Sequence, residues 1–408
     1  MITMMAWKNL FHNRLSSFLC WVLLTTGVAI ISLLLLIEQQ LEKQFSTSVQ
    51  NIDMVLGAKG SPLQLILSAV YHIDSPTGNI DYEEAQKWMR HPFVQKAVPL
   101  AYGDSYEEYS ILGTNQLYIE HYNGKLSKGQ LNQKDFEVVL GSKVAAALKL
   151  DTGMQFFSTH GKSKHGRAHK NNGYLVKGIL QPSGTVLDHL IVCNMESVWN
   201  LHDATSDHSP QETKTEDDEE KQPDEVHQEI TAVLLKFNSP LANIQLPRVI
   251  SEQTNMMAAM PAIEMNRLFS LLGVGFTTLQ NIGWGIMVLS GLSVFVALYN
   301  SLKERKYEMA LMRTMGASKL KLLFLVLTEG LILCTAGLIS GLLLSRLALF
   351  FFAGGFEKDY NLVFKEWMLP LKEELYLSLF AIVVGLAAAL LPAIKAWFIN
   401  ISKTLSNG

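Results

Sequence analysis

The chain is 408 residues long, 49% hydrophobic and only 17% charged, a balance that argues against a purely soluble protein before any residue is placed. Its net charge of -3 gives no footing for a nucleic-acid partner, so charge matters here through its distribution along the chain. Three cysteines set up no intrachain disulfide framework: Cys20 and Cys334 lie in apolar runs, and Cys193 alone falls in the polar region between them. Cys193 reads as a buried small hydrophobe, with pairing to another chain as the alternative.

Residues 1–17 carry Trp7, Leu10 and Phe11 beside Lys8 and Arg14 and contain no acid, the pattern of a short amphipathic helix on the inner membrane face. Residues 18–37 follow without a charge. At 1.5 Å per residue they cross a hydrocarbon core of roughly 30 Å. Glu38-Gln39-Gln40 offers no small-residue cleavage site, so this first span reads as a permanent anchor with its N-terminus inside.

Residues 38–267 are polar and form an extracytoplasmic domain. Gly57 and Gly60 lie in a loop that leads into a helix over 63–71; no Gly-Lys-Ser/Thr follows, so it is not a phosphate-binding loop. A helix over 81–90 is ended by Pro92, and strands are expected at 94–100, 108–112, 136–140, 154–158 and 174–180, with a helix over 142–148. Alternating strands and short helices predict a mixed α/β domain. Residues 202–229 form a mobile acidic and histidine-bearing loop, since so polar a segment cannot offset its ordering entropy. Strand character resumes at 230–237, and 249–267 reads as a stalk helix returning to the membrane.

Residues 268–299 make the second span, in which Gly273, Gly275, Gly283, Gly285 and Gly291 let helix backbones approach closely. Residues 322–353 make the third, with Glu329 near one end and Arg346 towards the other. Arg346 reaches outward as long cations do. Glu329 is either a functional intramembrane carboxylate or a residue reaching back to Lys321. Residues 354–374 form an outer loop with three lysines and five acids, 375–399 a fourth span, and 400–408 an inner tail.

Between spans two and three, residues 300–321 hold Lys303, Arg305, Lys306, Arg313, Lys319 and Lys321 against only Glu304 and Glu308, which keeps the segment on the cytoplasmic side. Tyr307, Leu311 and Met315 recur at four-residue spacing, and Gly316 stands where a helix would end. By spacing alone the segment is a helical loop that reverses the chain.

Glu304-Arg305, Glu308, Met312-Arg313 and Gly316-Ala317 resemble the motif that follows the second transmembrane helix in ABC transporter permeases of the MacB, LolC and FtsX superfamily. Ala6, Lys8, Asn9, Leu10 and Arg14 resemble that family's N-terminal element, and residues 136–180 its extracytoplasmic domain; the usual second proline of the tail is missing after Asn400. The resemblance implies that 300–321 is a coupling helix docking on a separate ABC ATPase, that ATP and magnesium are bound by that partner, and that two permease subunits pair as a homodimer or with a related chain. It also implies an inner-membrane location, contact with lipid, a periplasmic adaptor or binding protein, and mechanotransmission from the ATPase to the outer domain. The alternatives are an FtsX-like scaffold that activates a cell-wall hydrolase and a complex handling metal or a metal chelate.

No catalytic motif is present, so the chain is expected to be a non-catalytic subunit. Ten of the eleven histidines, all but His12, fall in residues 38–267. His160, His165 and His169 form one cluster, while His202 and His208 lie beside Asp203 and Asp207. Imidazole and carboxylate are zinc ligands, yet neither cluster has a fixed-spacing signature, so both a divalent-metal site and ordinary loop composition stay open.

Overall fold

The computed structural model describes residues 2–12, 14–159, 173–206, 228–360 and 372–398. Residues 207–227 of the expected acidic loop, 361–371 of the expected outer loop and the tail 400–408 lie outside the described residues.

In chain order, helices α1 (Ile2–His12) and α2 (Arg14–Ser48) precede strand β1 (Met54–Ala58), α3 (Pro62–Ala69), β2 (Ile80–Asp81), α4 (Tyr82–Met89), β3 (Val94–Tyr106) and β4 (Tyr109–Thr114). Then come α5 (Gln116–His121), β5 (Leu126–Gly129), β6 (Glu137–Leu140), α6 (Ser142–Leu148), β7 (Gln155–Phe156), β8 (Tyr174–Leu180), β9 (Ile191–Cys193) and α7 (Met195–Ser206). The chain continues through β10 (Glu229–Ile230), β11 (Ala232–Phe237), α8 (Ala242–Gln253), β12 (Met256–Ala259), α9 (Pro261–Glu304), α10 (Lys306–Thr314), α11 (Lys319–Tyr360) and α12 (Lys372–Trp397). These elements form two compact units, one of residues 1–43, 270–358 and 364–408, the other of 44–269 with 359–363.

The second unit is built on a mixed sheet in the order β12-β1-β11-β3-β4-β9-β6-β8-β5, with β7 paired to β8. Its neighbours are antiparallel except β4 with β9 and β6 with β8, which run parallel. Val138, Val139 and Leu140 of β6 are fully buried, as a strand covered on both faces must be. Strand β8 instead alternates: Tyr174, Val176, Gly178 and Leu180 point into the core, while Lys177 does not. Cys193 is fully buried at the end of β9 and unpaired.

Two local expectations change. Gly57 is not in a loop but inside β1, where a Cβ would stand 2.3 Å from Leu65 Cδ1, so glycine lets α3 lie against the strand. Residues 249–267 are not one helix. Thr254 leaves helical geometry (φ -131°, ψ 168°), its hydroxyl donates to the Ile250 carbonyl and accepts from Met256 N–H, and the chain turns into β12 beside β1 before Pro261 starts α9.

In the first unit, α2, α9, α11 and α12 are each long and apolar enough to cross a membrane. Among the described residues, Gly283 and Gly291 are the two of the five span-two glycines that meet a neighbour: a Cβ there would stand 2.6 Å from Ile31 and 2.5 Å from Val384. Gly273, Gly275 and Gly285 have open space within 4 Å. On α12, Gly385 is closer still to its neighbour, with Cys334 Sγ 2.0 Å from where its Cβ would be. Arg346 does not simply reach outward. It turns into the helix bundle and pairs with Glu374, whose carboxylate also accepts from Ser32 Oγ at 2.5 Å.

Candidate functional site

Helix α9 stops at Glu304, and Arg305 breaks the helical geometry (φ -98°, ψ 13°) before α10 begins. The far end of α10 is closed by backbone bonds from Gly316 N–H to Arg313 O at 3.1 Å and from Ala317 N–H to Met312 O at 3.0 Å. That pattern needs a left-handed residue just past the helix, and Gly316 supplies it at φ 95°. Gly316 and Ala317 therefore have a backbone role.

Met309 and Ala310 form the buried side of α10, with Met309 packed among Leu302, Leu322, Val326, Ala393 and Ala396. Met312 and Arg313 are half-buried. The residues whose spacing signalled the helix face the other way: Tyr307 is 51%, Leu311 48% and Met315 82% exposed. An apolar stripe on a short helix is ordinarily its buried side. Here it is displayed, and the exposed Glu304 and Glu308 stand beside it.

Arg305 is turned inward instead. Its Nη1 donates to Glu329 Oε1 at 3.1 Å, and its Nε lies 3.5 Å from Glu308 Oε2. Asn9 Nδ2 of α1 donates to the same Glu329 oxygen at 2.5 Å. The partners of Glu329 are thus Arg305 and Asn9, and Lys321 is an exposed residue at the start of α11. A cavity of about 20 Å³ lies beside this group, lined by Asn9, Ser16, Ser17, Ser301 and Glu329 among others. Asn9 drew notice only as part of the N-terminal element; nothing in its spacing pairs it with a carboxylate 320 positions away.

Of the histidines considered for metal, His160, His165, His169 and His208 lie outside the described residues, and His202 lies on α7. Among the described residues no group of three or more His, Cys, Asp or Glu is arranged to hold a metal ion.

Residues 282–401 match the family described as FtsX-like permease C-terminal. Over those residues the chain resembles an FtsX-like permease. Its FtsX-like region begins within α9, contains α10 with the break and the exposed stripe, and runs beyond the end of α12. That family is one of ABC permease components, and of the four helices long and apolar enough to cross a membrane, α11, α12 and the second half of α9 lie within the matched residues. Among solved structures the chain is similar to the periplasmic region of MacB from Actinobacillus actinomycetemcomitans, at 12% identity and TM-score 0.34, over 54% of this chain and 95% of that one. It is also similar to the extracellular domain of the noncanonic ABC-type transporter YknZ from Gram-positive bacteria, at 11% identity and TM-score 0.31, over 51% of this chain and 98% of that one. No curated protein matches it.

Proposed function

We propose that this FtsX-like permease is the membrane subunit of an ABC transporter complex of the MacB and LolC type. In this reading residues 300–321 are the cytoplasmic coupling segment, and 38–267 are an extracytoplasmic domain inserted between spans one and two. A separate ATPase binds ATP and magnesium, docks on α10, and drives motion that this chain relays outward to export or extract a substrate. Two permease subunits pair around the complex in the inner membrane. The chain itself does no chemistry; its part is to present a docking face and carry displacement.

The observation that carries this reading is the exposed stripe of Tyr307, Leu311 and Met315 flanked by Glu304 and Glu308, inside the family-matched region. Water is a poor neighbour for three large apolar side chains in one row, and an apolar centre with charged edges is how a protein interface is composed. Six cations surround the segment, which keeps it on the cytoplasmic side where ATP is. The test is to reverse both acids, Glu304→Lys with Glu308→Lys, and to co-purify the complex with its ATPase. Affinity for the ATPase falls by about tenfold or more, equivalent to ~1.4 kcal/mol, with membrane insertion intact. Unchanged assembly and unchanged stimulation of ATP hydrolysis would refute the docking role.

A further inference from the structure

One carboxylate oxygen, Glu329 Oε1, binds three parts of the first unit at once: α11 through its own backbone, the break between α9 and α10 through Arg305, and α1 through Asn9. The side chains of Arg305 and Glu329 are only 7% and 4% exposed. A buried ion pair is seldom more stabilising than apolar residues of the same size, because desolvation offsets the attraction. What it supplies instead is direction, since the guanidinium has to meet the carboxylate in one arrangement. The backbone at Arg305 is where direction is needed. With α9 ended at Glu304, the α9 hydrogen-bond ladder no longer dictates where α10 points, and the neighbours of α10 must do so.

Those neighbours are on α9, α11 and α12. Met309 packs among Leu302 of α9, Leu322 and Val326 of α11 and Ala393 and Ala396 of α12, apolar contacts that are not directional. The polar group at Glu329 adds a directional contact. Arg305 also lies 3.5 Å from Glu308, so the exposed acid beside the stripe and the buried acid on α11 share one guanidinium.

We propose that Glu329 is the positioning residue of the coupling segment: by holding Arg305 at the helix break it sets the angle of α10, and it passes displacement of α10 into α11 and, through Asn9, into α1, as a route beside that through α9. The proposal rests on the coupling reading for its functional consequence and on geometry alone for its structural one, so the two fail separately.

The experiment uses the full chain in lipid nanodiscs, with spin labels on Met4→Cys and Met315→Cys, residues 63% and 82% exposed on α1 and just past α10. The native cysteines are buried and stay unlabelled. Two variants are compared with the parent: Glu329→Gln, which keeps the shape, and Arg305→Met with Glu329→Leu, which removes both charges and leaves none unpaired. Both variants keep a cooperative melt. In both, the label-to-label distance distribution broadens or shifts by about one helical turn, ~5 Å. With the ATPase added to the unlabelled chains, the double variant still binds it, and stimulation of ATP hydrolysis falls about tenfold. A merely structural ion pair would leave the apolar double variant with the parental distance and parental stimulation, and that result overturns the proposal. An unchanged distance overturns it even if stimulation is lost. An ATPase that fails to bind the parent itself sinks the coupling reading, while the distance measurement still decides the role of Glu329.

Discussion

Arg346 and Glu374 meet in a two-pronged ion pair inside the helix bundle, with Nη1 to Oε1 and Nη2 to Oε2 both at 2.7 Å. Their side chains are 15% and 3% exposed. Ser32 of α2 completes the group, donating to the same carboxylate and lying 2.8 Å from Ser345 Oγ. Helices α2, α11 and α12 are joined there as α1, the helix break and α11 are joined at Glu329, so α11 has a buried charged contact towards each end.

Removing one charge of such a pair costs more than removing both, because the survivor is left buried without a partner. Arg346→Gln should destabilise the chain by about 3–5 kcal/mol, while Arg346→Met with Glu374→Leu should recover most of the loss. Thermal melting in nanodiscs separates the two. An Arg346→Gln variant that melts with the parent would show that Glu374 is solvated.

Glycine in the second span divides by neighbour. Gly291 faces Val384 at 2.5 Å from a built Cβ, whereas Gly275 faces open space. Gly291→Leu should cost about 1–3 kcal/mol through overpacking. Gly275→Leu should be silent. The readout is the fraction of each variant that remains monodisperse after mild heating in detergent, and equal behaviour of the pair would contradict the packing described for α9 and α12.

His189 predicts a pH response in the second unit. It is buried, its Nε2 has no hydrogen-bond partner among the described residues, and burial, helped by Lys143 and opposed by Asp188, pushes its pKa down from 6.5 to about 4. The folded state thus holds the ring neutral where the unfolded chain would protonate it. Its contribution is present above pH 6.5 and is lost as pH falls through the window down to about 4. At 1.36 kcal/mol per pH unit that difference amounts to roughly 3 kcal/mol. Hydrogen-exchange protection of β6 and β9 should fall between pH 6.5 and 4, and His189→Gln should flatten the fall. A parent chain with constant protection across that range would rule the account out.

The four apolar helices and the mixed sheet were legible because both rest on local patterns: long uncharged runs for the helices, short β-rich runs between turn residues for the strands. Gly316 was legible for the same reason, since a helix end needs a left-handed residue wherever it lies. What escaped depends on distant partners. Strand β12 hides inside a helical-looking run because the β1 edge that pairs with it is almost 200 positions earlier in the chain. Arg305 reads as a surface cation until Glu329 and Asn9 are brought to it. The stripe of Tyr307, Leu311 and Met315 announces a helix but not which side faces water, because periodicity has no reference direction. Met309 and Ala310 decide that, through contacts on α11 and α12.

That stripe carries the last prediction. Because Tyr307, Leu311 and Met315 are about half or more exposed, replacing all three by Ser removes little burial from the isolated chain, and its melting point should move by no more than about 0.5 kcal/mol of stability allows at each site. If the stripe is the centre of a docking face, the same triple variant loses the anchors that dominate interface energy, and its affinity for the ATPase should fall about a hundredfold, ~2.7 kcal/mol. Met309→Ser, on the opposite side, should do the reverse and destabilise the chain, since Met309 is 1% exposed. Titration of the ATPase onto the nanodisc-held chain measures the first effect, and differential scanning measures the second. Full ATPase affinity in the triple serine variant would move the docking face away from α10, whatever the reversed acids had shown.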